Sequence, residues 1–382
     1  MDTFGWLLAP VSAEEFIDQY AHERVLHVPG RSPEYYGPLF DLACFDEQLS
    51  LCGSVADRVR VVREGQESSR LDRAEVYDAY QAGSTISLTQ LHRHNRSLGE
   101  LCRRLTAALS SNFQVNAYLT PPDSRGFNKH FDTHDVFVLQ ILGSKRWRIG
   151  SAVVESPLDH DRRHADLVDR AVLDHDLTVH AGDLLYIPRG FVHEAESAGE
   201  TSLHLTVGAL PITYADLLLA DIEHIVHECP ELRESLPFEF ARSAEVRREA
   251  EDRIGSLVAE ITKRLDAPAM LDNAVNILRA RTDRDWSNHL HDLEAARTID
   301  ARTQVQFRSG LAFEQTEQPS GRIELRFADR NVTLPERFAE AVAAMPHNRP
   351  FTVDDLPGPL DHTARRYLLQ RLLQEGILTV PG

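Results

Sequence analysis

Two histidines and a carboxylate carry the chemistry most readily read from this chain. His130, Phe131 and Asp132 form a His-x-Asp triplet inside the stretch Asn116–Ile149, at the mouth of an expected β-strand. Side chains alternate across a strand, so His130 and Asp132 point the same way while Phe131 packs on the other side. Both can reach one metal ion. A third ligand is available some sixty residues later at His193, in GDLLYIPRGFVHEAES. Two histidines and one carboxylate on one face of a metal leave its other positions open, the facial arrangement of non-haem Fe(II) oxygenases. With 18 histidines in the chain, the triplet alone is a weak signal. Its strength comes from the frame around His193.

That frame reads G-x5-P-x-G-x2-H, with Gly182, Pro188, Gly190 and His193. Glycine permits turns and close approaches that a side chain would block. Proline suits a strand end because it donates no ladder hydrogen bond. The apolar run Leu184–Ile187 between them is a short strand, and the turn after it presents the histidine. Strands are expected near 113–119, 134–142, 145–149, 178–180, 184–187 and 202–208. DVFVLQILG and KRWRI read as a hairpin about Gly143 and Ser144. Short strands divided by turn residues suit a small barrel or jelly roll whose open mouth can hold a metal and a small ligand.

Together the two stretches resemble the metal-binding motifs of the cupin, or double-stranded β-helix, superfamily. More narrowly they resemble the JmjC-type 2-oxoglutarate oxygenases, and among these the ribosomal oxygenases, which hydroxylate side chains of ribosomal proteins. The motifs cover roughly residues 5–210, and the rest matches by layout. The resemblance implies Fe(II) held by His130, Asp132 and His193, with 2-oxoglutarate as cosubstrate and O2 as oxidant. It also implies that Lys145, in GSKRWRI, binds the distal carboxylate of the cosubstrate; from the residues alone Lys145 is an ordinary turn lysine. Asn116 and Tyr118, in N-x-Y-x-T-P-P, then line the same pocket, with Thr206 a further candidate. Their plainer readings are a strand-end Asn and a half-buried Tyr. His134 continues the period of two from Asp132, or simply begins the next strand. His204, in SLHLTV, reads as a packed, hydrogen-bonded core histidine, and Arg189 as a rim residue.

The flanking elements must support that barrel. Ser12 and Glu15 open a helix reaching His22, followed by a strand over Arg24–Val28. VRVVREG (58–64) reads as a strand, and 71–83 and 97–111 as helices buttressing one face. From Pro211 to about Thr298 apolar residues recur at three and four, the period of long amphipathic helices, with Glu249 and Arg253 at a supporting i, i+4 spacing. Helices this rich outside the barrel need cover for their apolar stripes, and the resemblance implies a homodimer here. Residues 300–382 look like a winged helix, with Asp361 capping its long helix. The expected class is α+β: a JmjC barrel domain over 1–210, a helical dimerisation domain over 211–299 and a winged-helix domain over 300–382.

Composition narrows the partners. The 382 residues carry a net charge of −18, which disfavours a general nucleic-acid binder and suits a basic protein or peptide. Cys44, Cys52, Cys102 and Cys229 form no C-x-x-C pair and suggest neither a zinc site nor a disulfide framework. Nothing at the start resembles a signal peptide, and no stretch approaches a membrane span, so a cytoplasmic protein is expected. The expected activity is hydroxylation of an amino-acid side chain, Arg or His, in a ribosomal protein or other peptide. Two alternatives stand beside it: a peptide-tailoring hydroxylase of natural-product biosynthesis, and a non-catalytic metal-binding cupin scaffold.

Overall fold

The computed structural model describes residues 2–51, 58–68, 71–158, 161, 165–308, 310–311, 313–327, 330–347 and 349–381; Cys52 lies outside them. The chain forms two compact units. One comprises 1–211 with 282–382, the other 212–281.

Among the described residues eleven strands build the barrel region: β1 Leu26–Val28, β2 Val59–Arg63, β3 Gln66–Ser68, β4 Thr85–Leu88, β5 Asn112–Thr120, β6 Asp135–Leu142, β7 Ser144–Ala152, β8 Leu173–His180, β9 Leu184–Ile187, β10 Phe191–Ser197 and β11 Ser202–Leu210. They form an eight-stranded sheet, ordered β1-β9-β6-β11-β5-β4-β2-β3, and a three-stranded sheet, β10-β7-β8. The period of two decides which side chain faces which layer. Leu203, Leu205 and Val207 of β11, with Val115 and Ala117 of β5, pack outward on Leu98, Leu101 and Leu105 of the helix Arg96–Leu109. The opposite faces of β6 and β9 (Val136, Val138, Leu185, Ile187) meet Trp147, Ile149 and Val179 of the small sheet. The interior between the sheets is therefore apolar at one place and, along β5 and β11, lined by Asn116, Tyr118, His204 and Thr206.

The expected hairpin of DVFVLQILG and KRWRI does not form. β6 pairs with β11 and β9, whereas β7 pairs with β10 and β8, so the chain changes sheets at Gly143. Gly143 has φ +64, and a Cβ there would collide with the Thr201 carbonyl. A corner that tight requires glycine. The expected turn is present at 189–190 and presents His193 within β10, just past a register shift between Phe191 and His193.

Ser12 caps the helix Ala13–Gln19, accepting from Glu15 N at 3.0 Å. Helices at Tyr214–Glu228, Ala244–Arg264 and Ala267–Arg281 make the second unit. Within it Arg253 pairs with Glu234, at 3.0 Å, instead of the expected Glu249. The helix His289–Thr298, read from sequence as part of the helical region, packs with the C-terminal core through Ala296, followed by Ile299. That core covers a three-stranded sheet (Glu314–Gln318, Arg322–Arg326, Asn331–Pro335) and the helix His362–Gln374, whose cap Asp361 accepts from Ala364 N at 2.7 Å. Cys44, Cys102 and Cys229 are free thiols. Among the described residues no helix is long and apolar enough to cross a membrane.

Candidate metal and anion site

His130, Asp132 and His193 converge, each offering one ligand atom within 4.8 Å of the other two. Backbone pairing sets the approach. His130 N donates to His193 O at 3.0 Å and His193 N returns a bond to His130 O at 2.7 Å, a bridge that brings the triplet against β10. Gly190 N donates to Asp132 O at 2.8 Å, tying the turn before β10 to the carboxylate residue. Each imidazole is then held by its far nitrogen: His130 Nδ1 lies 2.8 Å from Asn128 O, and His193 Nδ1 3.0 Å from Phe191 O. Those contacts make Nδ1 the protonated nitrogen and leave each Nε2 lone pair for a ligand. His193 Nε2 stands 3.8 Å from an Asp132 oxygen. Burial, helped by the neighbouring His130, pushes the His193 imidazole down to about 4, so it is neutral at physiological pH. A neutral imidazole is what a cation requires.

Lys145 is the second feature. It is only 5% exposed, projecting between the sheets from β7. Its Nζ donates to Thr120 Oγ1 at 3.0 Å, and Thr120 in turn shares a bond with Thr85 Oγ1 at 3.1 Å. Among the described residues no carboxylate pairs with it. Burial alone pushes its ammonium down to about 7. Along β7, Lys145 and Ile149 stand opposite Ser197 and His193 respectively. Four residues of strand, roughly 13 Å, therefore separate the lysine from the level of the metal triad.

The residues between are aromatic and partly unsatisfied. Trp147 follows Lys145 by two on β7, with its ring 5.9 Å from that of His193 and 5.6 Å from that of His204. His204 stacks on Tyr118 at 5.0 Å and 10°. Trp147 Nε1 and His204 Nδ1 are buried without a hydrogen-bond partner among the described residues. Buried polar atoms are nearly always paired, so two orphans beside an unpaired ammonium indicate a polar guest. Burial, then the nearby lysine, holds His204 well below its ordinary value. Burial and the Asp132 carboxylate push the Tyr118 hydroxyl up to about 12.

Asn116 and Tyr118 share the inner face of β5, and Thr206 sits directly opposite Asn116 on β11. Asn116 Oδ1 accepts from Gln90 N at 2.9 Å. These expected residues thus line the barrel interior together. His134 is buried beside Gly208, where a Cβ would stand 2.5 Å from its ring, and its Nδ1 has no partner among the described residues. Arg189 directs its backbone N to Asp135 at 2.8 Å. His204 is packed as expected but lacks the expected hydrogen bond at Nδ1. Trp147, Thr120 and Thr85 were not singled out by sequence reasoning. The period of two from Lys145 reaches Trp147, but nothing in the sequence shows that Thr85 and Thr120 meet.

Comparison with known proteins agrees with this geometry. Residues 90–217 match the family model described as a JmjC domain. Ribosomal oxygenase 1 of Gallus gallus is 32% identical over 62% of this chain and 42% of its own length. The bifunctional lysine-specific demethylase and histidyl-hydroxylase NO66 of Dictyostelium discoideum is 29% identical over 66% of this chain and 54% of its own. The chain spans about half the length of such relatives. Among solved structures, YcfD, a ribosomal oxygenase from Escherichia coli in complex with cobalt and 2-oxoglutarate, aligns over 98% of this chain and 99% of its own, with a TM-score of 0.59 and 16% identity. At that identity the likeness is one of fold.

Proposed function

Residues 90–217 are a JmjC domain in a chain that resembles the ribosomal oxygenases, and from that premise we propose that this protein is an Fe(II)- and 2-oxoglutarate-dependent oxygenase hydroxylating a side chain, Arg or His, of a ribosomal protein or similar basic peptide. The observation that carries the reading is the buried Lys145, which no carboxylate among the described residues pairs, in the same barrel as the His130–Asp132–His193 cluster. The donor set fits ferrous iron, since two imidazoles and one carboxylate leave open positions. The lysine fits a distal carboxylate. A small diacid and the lysine side chain together span the distance between Lys145 and the triad.

When bound, iron with 2-oxoglutarate and oxygen supplies the oxidant for an unactivated C–H bond, with succinate and carbon dioxide as coproducts. The chain's own residues bind and orient. Asn128 O and Phe191 O fix the two ligand imidazoles. Lys145 and Thr120 take the distal carboxylate in a charge-assisted bond. Trp147 Nε1 and His204 Nδ1 gain partners, and Asn116, Tyr118 and Thr206 close the pocket around the diacid. The barrel wall then excludes water and other reductants, so the substrate bond is what the oxidant meets.

The rest of the chain fits the same reading. Leu219, Phe238, Val258 and Leu271 of the helical unit are 55–97% exposed, and the helix Ala244–Arg264 buries none of its residues. Such apolar surface supports a homodimer through that unit. The sheet and helices of residues 300–382 support a winged helix that contacts substrate without binding nucleic acid, in keeping with the acidic chain. Free thiols and a need for ferrous iron suit the cytoplasm.

The test is succinate release and intact-mass analysis with Fe(II), 2-oxoglutarate and ribosomal proteins, with His130→Ala as control. Addition of one oxygen atom to a ribosomal protein, lost in the control, is expected. Succinate without any such product would move the substrate elsewhere. Neither succinate nor metal binding would leave a scaffold.

A further inference from the structure

Phe127 is an aromatic residue beside the candidate metal cluster. It belongs to none of the buried apolar clusters and is half-buried. Its ring meets Tyr118 edge to face at 5.7 Å and 82°, and lies tilted against His130 at 6.2 Å and 47°. It thus touches both the candidate metal cluster and the wall of the anion pocket, while part of it stays open to solvent. The ring packs on these two site residues and not on any of the apolar cores.

Its backbone is held on both sides. Gly126 carries no Cβ because one would stand 2.6 Å from Thr85 Oγ1. Glu64 N donates to Arg125 O at 3.0 Å and Gly65 N to Gly126 O at 2.6 Å, so the β2–β3 turn clamps the residues just before Phe127. Immediately after it, Asn128 O receives the His130 ring. The ring is therefore held in a fixed position relative to a metal ligand, which is what substrate positioning demands.

We propose that Phe127 is the platform on which the target side chain of the protein substrate stacks, and that it selects a planar guanidinium or imidazole group over an aliphatic one. This rests on the oxygenase reading above. A π face near a metal favours cationic and planar groups through stacking and cation–π attraction, and the acidic chain suits a basic partner.

The experiment uses the full-length Fe(II)-loaded protein with 2-oxoglutarate and arginine- or histidine-containing peptides of ribosomal proteins. Phe127→Leu, which keeps bulk and loses the ring, is compared with Phe127→Ala, Phe127→Tyr and wild type. In the Leu and Ala variants kcat/KM for the peptide is expected to fall roughly tenfold or more, chiefly through KM. Affinity for 2-oxoglutarate and peptide-independent succinate release should stay within about twofold, and Phe127→Tyr should restore peptide turnover. Peptide kinetics unchanged in Phe127→Leu would overturn this proposal alone, as would an equal loss of 2-oxoglutarate affinity. No succinate from the wild type would overturn the oxygenase reading and this proposal with it.

Discussion

Two buried cations, one in the barrel and one in the C-terminal core, are treated in opposite ways. Arg308 is 6% exposed and its two terminal nitrogens are engaged: it pairs with Asp292, itself 0% exposed, and donates to the carbonyls of Asp285 at 2.6 Å and Ser287 at 2.8 Å, its Nε alone having no partner among the described residues. Asp292 then accepts from Thr379 Oγ1 at 3.0 Å and Val380 N at 2.9 Å, stitching the end of the chain to the helix His289–Thr298. Lys145 is as buried, yet among the described residues a single hydroxyl is its hydrogen-bond partner. Taking a charge out of water costs several kcal/mol unless it is paired. The first cation finds its counter-charge within the protein; under the proposed function the second finds it in the ligand. On that reading the contrast is between an architectural charge and a functional one.

The largest effect is expected where the paired cation loses its partner. Asp292→Ala strands a buried guanidinium and should lower stability by about 3–5 kcal/mol, read as a shifted urea midpoint, with 2-oxoglutarate affinity of the folded protein intact. Lys145→Met should do the reverse. Its stability holds or rises, while 2-oxoglutarate binding weakens by about 2–5 kcal/mol, measurable by calorimetry on metal-loaded protein. If both variants lost stability alike, the distinction between the two cations would collapse. Gly190→Ala comes next. Gly190 has φ +84, and a Cβ there would strike the Val154 carbonyl. A cost of about 1–3 kcal/mol is expected, with weaker metal binding because the turn holds Asp132. The smallest effect is spread over pH. The folded Lys145 titrates near 7 and the unfolded one near the ordinary lysine value, so between these the unfolded chain binds more protons and stability rises with pH. The slope should not exceed about 1.4 kcal/mol per pH unit and should vanish in Lys145→Met.

How much of this was legible in the sequence depended on whether the signal was local. His130 and Asp132 are two apart just before β6, and the Gly182–Pro188–Gly190 frame marks His193, so local spacing brought forward all three residues of the cluster. Strands such as Leu184–Ile187 and the helix cap at Asp361 are equally local. The sheet change at Gly143 was not legible, because a turn glycine between two strands reads the same in a hairpin and in a corner. Only the long-range pairing of β7 with β10 distinguishes them. Lys145 shows the same limit. Residue type alone makes it a turn lysine, and its meaning comes from Thr85 and Thr120, which lie 60 and 25 residues away. Helix His289–Thr298 was grouped with its helical neighbours by periodicity, which carries no information about which core a helix joins.

The most direct test of the account is the affinity for 2-oxoglutarate across pH, measured anaerobically on Fe(II)-loaded wild type and Lys145→Met. The account predicts that wild-type affinity is level below about pH 7, where Lys145 is charged before the ligand arrives. Above it, each unit of pH should weaken binding by up to about tenfold, because a proton must be taken up with the ligand. The Lys145→Met protein should bind weakly at every pH, with no such slope. Tight binding to Lys145→Met, or wild-type affinity indifferent to pH from 6 to 9, would contradict the assignment of Lys145 as the anchor of the diacid.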